Sequence, residues 1–430
     1  MRRLAVLFAC VTAVACFAAV LLGCGGDNVA ASELVKSDAP RAAANTEMGS
    51  RTSDALEIFS TDLYAVLARN DGNFVFSPYS AAVALAMTRA GAAGETLTQM
   101  TDVLHADLAG DLDAGLNTID QALATRSGEY QGGGNKKVKL QLGTANQLWG
   151  QSNYPFRSAF LDRLAAHYGA GMRLVDYIKA PEDARKTINA WVSEQTKGRI
   201  QQLIPEGILN SDTRLVLTNA IYLTAPWLYP FERQATAEAP FARLDGSSVQ
   251  AEMMRLNREL RYVEASGYKA VELPYVDGSL AMLVIVPDKG SFAQFQSALD
   301  PETLADIVGG LDNAQVRLGL PKFEFRTQAG LKAPLIELGM PVAFDGDAAD
   351  FSGMSPDGKN LYIQDVLHEA FIAVDEDGTE AAAATAVVVG RVSAPERQVE
   401  LTVDRSFLFL IRDTETGAVL FMGRVVDPTR

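Results

Sequence analysis

The spacing of apolar and polar residues changes character several times along the chain. Arg2-Arg3 precede residues 4–22, which are apolar apart from Thr12. The run is long for a secretory signal and close to bilayer-spanning length, so an uncleaved membrane anchor is the competing reading. Residues 25–53 are rich in Gly, Ser and Ala and contain no aromatic residue. A segment of that composition buries too little surface to fold and is expected to be a flexible tether. From residue 54 the pattern turns helical. Ser77-Pro78 sets a capping hydroxyl before a proline in the first turn of a helix running to Ala90. Gly91 to Gly94 break it, after which Leu97, Met100 and Leu104 recur at helical spacing. Residues 157–169 and 181–196 continue in helical style, while 141–149 read as one strand after the Gly132-Gly133-Gly134 loop.

The second half is dominated by strand patterns. Short apolar or alternating runs cover 215–223, 280–286, 316–320, 323–325 and 371–374. The runs 407–411 and 419–422 flank Asp413 to Gly417 and predict a hairpin. No repeat and no Pro/Gly-rich linker divides residues 54–430, so one large domain of α+β class is expected. One segment does not fit an ordinary fold. From Ala381 to Gly390 there is neither charge nor proline, with small residues first and β-branched residues after. Exposed, such a segment seeks a sheet edge. As a strand it would place Thr379, Ala381, Ala383, Thr385, Val387 and Val389 on one face and Glu380 on the opposite, solvated face.

Composition narrows the chemistry. Net charge is −15, which argues against nucleic acid as a partner. The cysteines stand at 10, 16 and 24, so no disulfide, zinc–thiolate site or cysteine nucleophile can exist beyond residue 24. Leu21-Leu22-Gly23-Cys24 resembles the bacterial lipoprotein box. On that reading residues 1–23 are a signal peptide, and residues 24–53 comprise the lipidated Cys24 and its tether. His105 and His167 read as surface or packing histidines. No phosphate loop, Gly-x-Ser-x-Gly elbow or zinc-ligand spacing occurs, so no catalytic group, metal or cofactor is expected. The run Lys136-Lys137-Val138-Lys139 reads as a solvated strand edge.

Glu376-Asp377-Gly378-Thr379-Glu380 followed by Ala381, Ala382, Ala383 and Ala384 resembles the hinge of a serpin reactive-centre loop. Other stretches resemble the same family in the same order. They include 73–80, 196–200, 217–223 with Trp227, Pro321-Lys322-Phe323, 349–354 and 421–428. The resemblance implies a serpin domain over 54–430, with about nine helices around three β-sheets and an exposed loop. It implies a suicide-substrate inhibitor of serine proteases, with cysteine proteases as a further target class. The protease cleaves the loop, and the hinge then inserts into the central sheet. The alternatives are a non-inhibitory serpin acting as a carrier or interaction module, and a membrane-bound hydrolase.

The same resemblance assigns positions. Ser77, Ser80, Asn219 and His368 match the polar cluster of the shutter, with His368 as a hydrogen-bonding latch. Trp227 matches the breach tryptophan, although Ala225-Pro226 stand where a basic or polar residue is common. Counting seventeen residues from Glu376 puts the reactive bond at Val392–Ser393, suited to an elastase- or subtilisin-like pocket. The alternative, Arg391–Val392, suits a trypsin-like one. The mature protein is expected to be a monomer, lipid-anchored outside the cytoplasm at an outer membrane or cell surface.

Overall fold

The computed structural model describes residues 32–132, 137–380 and 398–430. Most helices come first. Strand β1 (Glu33–Val35) leads to helix α1 (Thr46–Leu67), capped by the Asn45 side chain, which accepts from Met48 N–H at 3.2 Å. Strand β2 (Phe74–Phe76) turns directly into α2 (Pro78–Arg89). There the Ser77 hydroxyl accepts from Ser80 N–H at 3.1 Å and Pro78 fills the first turn, as the pattern predicts. Next come α3 (Gly94–Val103), α4 (Ala106–Ala109), α5 (Leu112–Ala124) and the strands β3 (Gly128–Gln131), β4 (Lys137–Thr144) and β5 (Gln147–Gln151). Helix α6 (Ser158–Tyr168), β6 (Met172–Val175) and α7 (Pro181–Gln195) follow.

The strand-rich half begins with β7 (Leu215–Pro226), β8 (Ala237–Ala242), β9 (Ser248–Ala265), β10 (Tyr268–Pro274) and β11 (Leu280–Pro287). Helices α8 (Phe292–Ser297) and α9 (Pro301–Gly309) interrupt it before β12 (Asp312–Pro321), β13 (Phe323–Gly330) and α10 (Lys332–Glu337). The chain closes with β14 (Val366–Val374), β15 (Gly378–Thr379), β16 (Gln398–Thr402), β17 (Phe407–Asp413) and β18 (Val419–Val425). The last two pair as the expected hairpin.

Among the described residues the strands form two sheets. The central one runs β1-β6-β5-β7-β15-β14-β13, with β4 also on β7 and β3 on β4; the other runs β16-β12-β9-β10-β11-β17-β18-β2, with β8 on β9. Three sheets were expected. Two of them are continuous because β9 is 18 residues long. Its first part pairs with β8, its middle with β12 and its end with β10. The core lies between the two sheets, where Phe323 and Phe325 of β13 pack on Phe407 and Phe409 of β17. Burying such rings supplies the main favourable term in folding.

The strand expected over 141–149 is present as β4 and β5, which keep one register along β7, Thr144 opposite Ile221 and Gln147 opposite Thr218, across a break in the ladder at Ala145-Asn146. One expectation is corrected here. In its described residues, from 32 onward, the expected tether over 24–53 is part of the body. Its backbone supplies much of the binding. β1 pairs antiparallel with β6, Asn117 Nδ2 donates to the carbonyls of Ala42 and Ala43, and Arg41 pairs with Asp120 at 2.7 Å. Composition counts side-chain burial and misses main-chain hydrogen bonds made to a ready sheet edge.

Candidate functional site

The centre of interest is the line where β7 meets β14. Along the lower part of this line the two strands pair directly and in parallel, Leu217 opposite Val366 through Ile221 opposite Ala370. Above it they part. β15 lies between them, antiparallel to both, with Gly378 opposite Pro226, Thr379 opposite Ala225, and Thr379 also opposite Val374. The first residues of the hinge are therefore already strand members of the central sheet. Glycine is required at 378, because a Cβ there would collide with the Ala225 carbonyl oxygen.

A socket built from two aromatic rings receives this segment. Trp227 and Tyr275 stack with centroids 4.6 Å apart at 7°. Trp227 Nε1 donates to the Asp375 carbonyl at 3.0 Å, its backbone N–H to Asp377 O at 2.9 Å, and Phe231 N–H to Glu376 O at 2.9 Å. The Tyr275 hydroxyl sits 2.6 Å from Thr379 Oγ1, and Thr379 is 2% exposed. Ala225 and Pro226, the departure noted in the sequence, enter only through their backbone. The charged partners come from elsewhere. Lys322 Nζ lies 2.9 Å from Glu376, Thr236 Oγ1 donates to the same carboxylate at 2.7 Å, and Arg233 pairs with Asp377. Burial opposes ionisation of Glu376, but the Thr236 and Lys322 contacts prevail and hold its carboxyl below the usual range. Asp375 has no such cation at bonding distance among the described residues, and burial pushes it up.

Below the hinge, the four residues assigned to the shutter come together with a fifth. His368 Nε2 accepts from Ser77 N–H at 3.1 Å. That fixes the proton on Nδ1, which donates to Asn219 Oδ1. Asn219 Nδ2 in turn donates to Asn146 Oδ1 at 3.2 Å, and Ser80 Oγ donates to the same oxygen at 2.6 Å. Asn219 and His368 face each other across β7 and β14, so this network ties the strands that β15 separates higher up. His368 is wholly buried, and burial pushes its pKa down to about 4. It serves as a neutral connector.

Glu380 is where the expectation fails. Its neighbour Thr379 faces Tyr275, and Glu380 contacts a different element, as strand alternation requires. Yet that side is not solvated: the Glu380 side chain is 3% exposed beside Arg199. The segment after α7 covers the sheet there, held by Gln328 Nε2 donating to the carbonyls of Gln202 and Leu203.

Ala381 to Ala384, Arg391, Val392, Ser393 and Cys24 lie outside the described residues. His105 and His167 take no part in the site; His105 pairs with Asp62 at 2.8 Å, and His167 lies on α6. Sequence reasoning missed Asn146, Tyr275, Arg233, Thr236, Lys322 and Arg199 as site residues. Lys322 and Arg199 stood inside motifs already singled out; Tyr275 and Thr236 carried no local signal.

The central sheet therefore holds a short extra strand at one end, between β7 and β14, above a polar side-chain contact that joins the same two strands lower down. The family model described as Serpin (serine protease inhibitor) matches residues 54–428, and the chain belongs to the serpin family. A leukocyte elastase inhibitor from Xenopus tropicalis is 36% identical over 388 residues, covering 87% of this chain and 99% of that protein. An uncharacterized serpin-like protein of Thermococcus kodakarensis is 38% identical, covering 87% and 85%. The native-state crystal structure of tengpin, a thermophilic serpin, superposes with a TM-score of 0.79 at 28% identity, covering 93% of this chain and all of that one.

Proposed function

We propose that this serpin is a suicide-substrate inhibitor of serine proteases, working by cleavage of the loop after Glu380 and insertion of the freed hinge between β7 and β14. The observation that carries the reading is β15. Gly378 and Thr379 already occupy the inserting register, and beside the backbone ladder the His368–Asn219 side-chain contact crosses the unopened part of that line. Continuing the alternation from Thr379 puts Ala381 and Ala383 on the inward row, where small side chains let β7 and β14 separate with little steric cost. Driving force would come from new strand pairing and from burial of Val387 and Val389. The inhibitor supplies no catalytic group; the acyl-enzyme chemistry is the protease's. The reactive bond is assigned to Val392–Ser393, with Arg391–Val392 as the competing register. Elastase inhibition by the Xenopus relative favours the smaller apolar pocket.

The test is incubation of the protein with elastase-, subtilisin- and trypsin-like proteases. A protease complex that survives denaturing electrophoresis is expected with at least one of them. Cleavage without complex across the panel would instead favour the carrier reading. The mass of the released C-terminal peptide reports the register directly. Lipid attachment at Cys24 remains part of the proposal, and intact mass analysis of the N-terminal peptide tests it.

A further inference from the structure

Glu380 and Glu376 are two buried carboxylates of one hinge, four positions apart, and the protein treats them in opposite ways. Glu376 receives Thr236 and Lys322 and stays an anion. Among the described residues Glu380 has one cation at bonding distance, Arg199, whose Nε is 3.0 Å from Oε2 and whose own side chain is half exposed. Among the described residues neither Glu380 oxygen has a hydrogen-bond partner. An ion held that way in a covered site is costly.

The groups facing it do not repair this. Glu324 and Arg326 approach from β13 with opposite signs, and Arg326 is already paired with Glu369 of β14. Tyr222 of β7 is the remaining titratable neighbour, and its hydroxyl is itself pushed up by burial and by Glu380. The backbone adds a further constraint. Glu380 N–H still bonds Ala373 O at 2.9 Å, but its φ is +50°, a left-handed conformation that residues other than glycine adopt uncommonly. Such a conformation persists only where surrounding contacts hold it.

We propose that Glu380 is a pH-sensitive latch on the hinge: as the neutral acid it keeps the hinge seated between β7 and β14, and as the carboxylate it leaves its place under Arg199 and frees the loop behind it. Burial pushes the Glu380 carboxyl up to about 7, against the opposing pull of Arg199. A pKa raised in the seated state means that its contribution is complete below about 4.5 and is lost as pH rises through about 7. The Thr379–Tyr275 contact is a second anchor without this dependence, since burial drives the Tyr275 hydroxyl far above neutrality. The latch does not depend on the inhibitor reading; only its consequence for protease capture rests on it.

Hydrogen exchange of the peptide covering residues 371–380, in the detergent-solubilised full-length protein and scaled to the chemical exchange rate at each pH, tests the latch. Protection is expected to fall about tenfold between pH 6 and 8 in the parent protein. In Glu380→Gln it should be flat with pH. Arg199→Ala, a change at a half-exposed side chain, should move the transition to higher pH. A flat parent profile, or the same slope in Glu380→Gln, overturns the proposal. In a second arm, the ratio of parent to Glu380→Gln capture rates removes the protease's own pH dependence and should rise over the same window. An exchange transition with no protease complex at any pH would sustain the latch and overturn the inhibitor reading.

Discussion

Along the lower stretch of the β7–β14 line, both ring nitrogens of His368 and both ends of the Asn219 amide have partners, and none of these groups is charged. At its top, Glu376, Asp377 and Glu380 are all nearly buried and all depend on cations that reach in from more exposed positions: Lys322, Arg233 and Arg199. The lower site behaves like part of a core, with fixed tautomer and fixed donors. The upper one is held by ion pairs whose exposed halves can leave. On the proposed mechanism the two regions have different work. One would keep the strands together until the inserting strand replaces the contact, and the other would hold the hinge loosely enough to be released.

The largest loss of function is expected from Thr379→Arg. It forces a guanidinium into a position that is 2% exposed beside Tyr275, at a cost of several kcal/mol, about 3 by the usual penalty for a buried unpaired charge. Hinge protection should be lost and protease trapping abolished, while the sheet below stays folded. Should the variant trap protease as well as the parent, the inward face has been misassigned. His368→Ala attacks the other region. It removes the acceptor of Ser77 N–H and the donor to Asn219 and leaves a cavity, so the urea midpoint should drop by an amount worth about 4 kcal/mol.

Acid separates the regions without mutation. His368 is held near 4 in the folded chain against 6.5 in solution, so its contribution is full above about 6.5 and is lost as pH falls towards 4. The total is about 3 kcal/mol. The hinge seat should respond in the reverse sense over a higher window, tightening as pH falls. Unfolding midpoints and hinge protection measured on the same samples should therefore move in opposite directions on acidification, the midpoint falling and the protection rising. The smallest effect is expected from Tyr275→Phe, which deletes one buried hydroxyl contact worth about 1 kcal/mol. Hinge exchange should rise several-fold, and the unfolding midpoint should hardly move.

Much of this was legible in the sequence, and what was missed was missed for definable reasons. Helix starts such as Ser77-Pro78 and the terminal hairpin are local matters, and local patterns found them. The four shutter positions are far apart in the chain, and only the family resemblance joined them; Asn146 completes the cluster from the short break between β4 and β5, where its side chain carried no local signal. Tyr275 and Thr236 become hinge contacts only because β10 and the segment after Trp227 meet at the top of the sheet. The solvated Glu380 and the free tether over 32–53 failed for a common reason. Alternation and composition describe a segment alone, whereas burial here is imposed by another part of the chain, the stretch after α7 in one case and the edge of β6 in the other.

The central claim is that the loop becomes a strand of the sheet once it is cut. Nicking the purified protein once within residues 388–395 and comparing guanidinium unfolding midpoints of nicked and intact chains tests it directly. Insertion predicts a clearly higher midpoint for the nicked form, because a completed sheet adds a full row of strand pairing on each side. An unchanged or lower midpoint would contradict it.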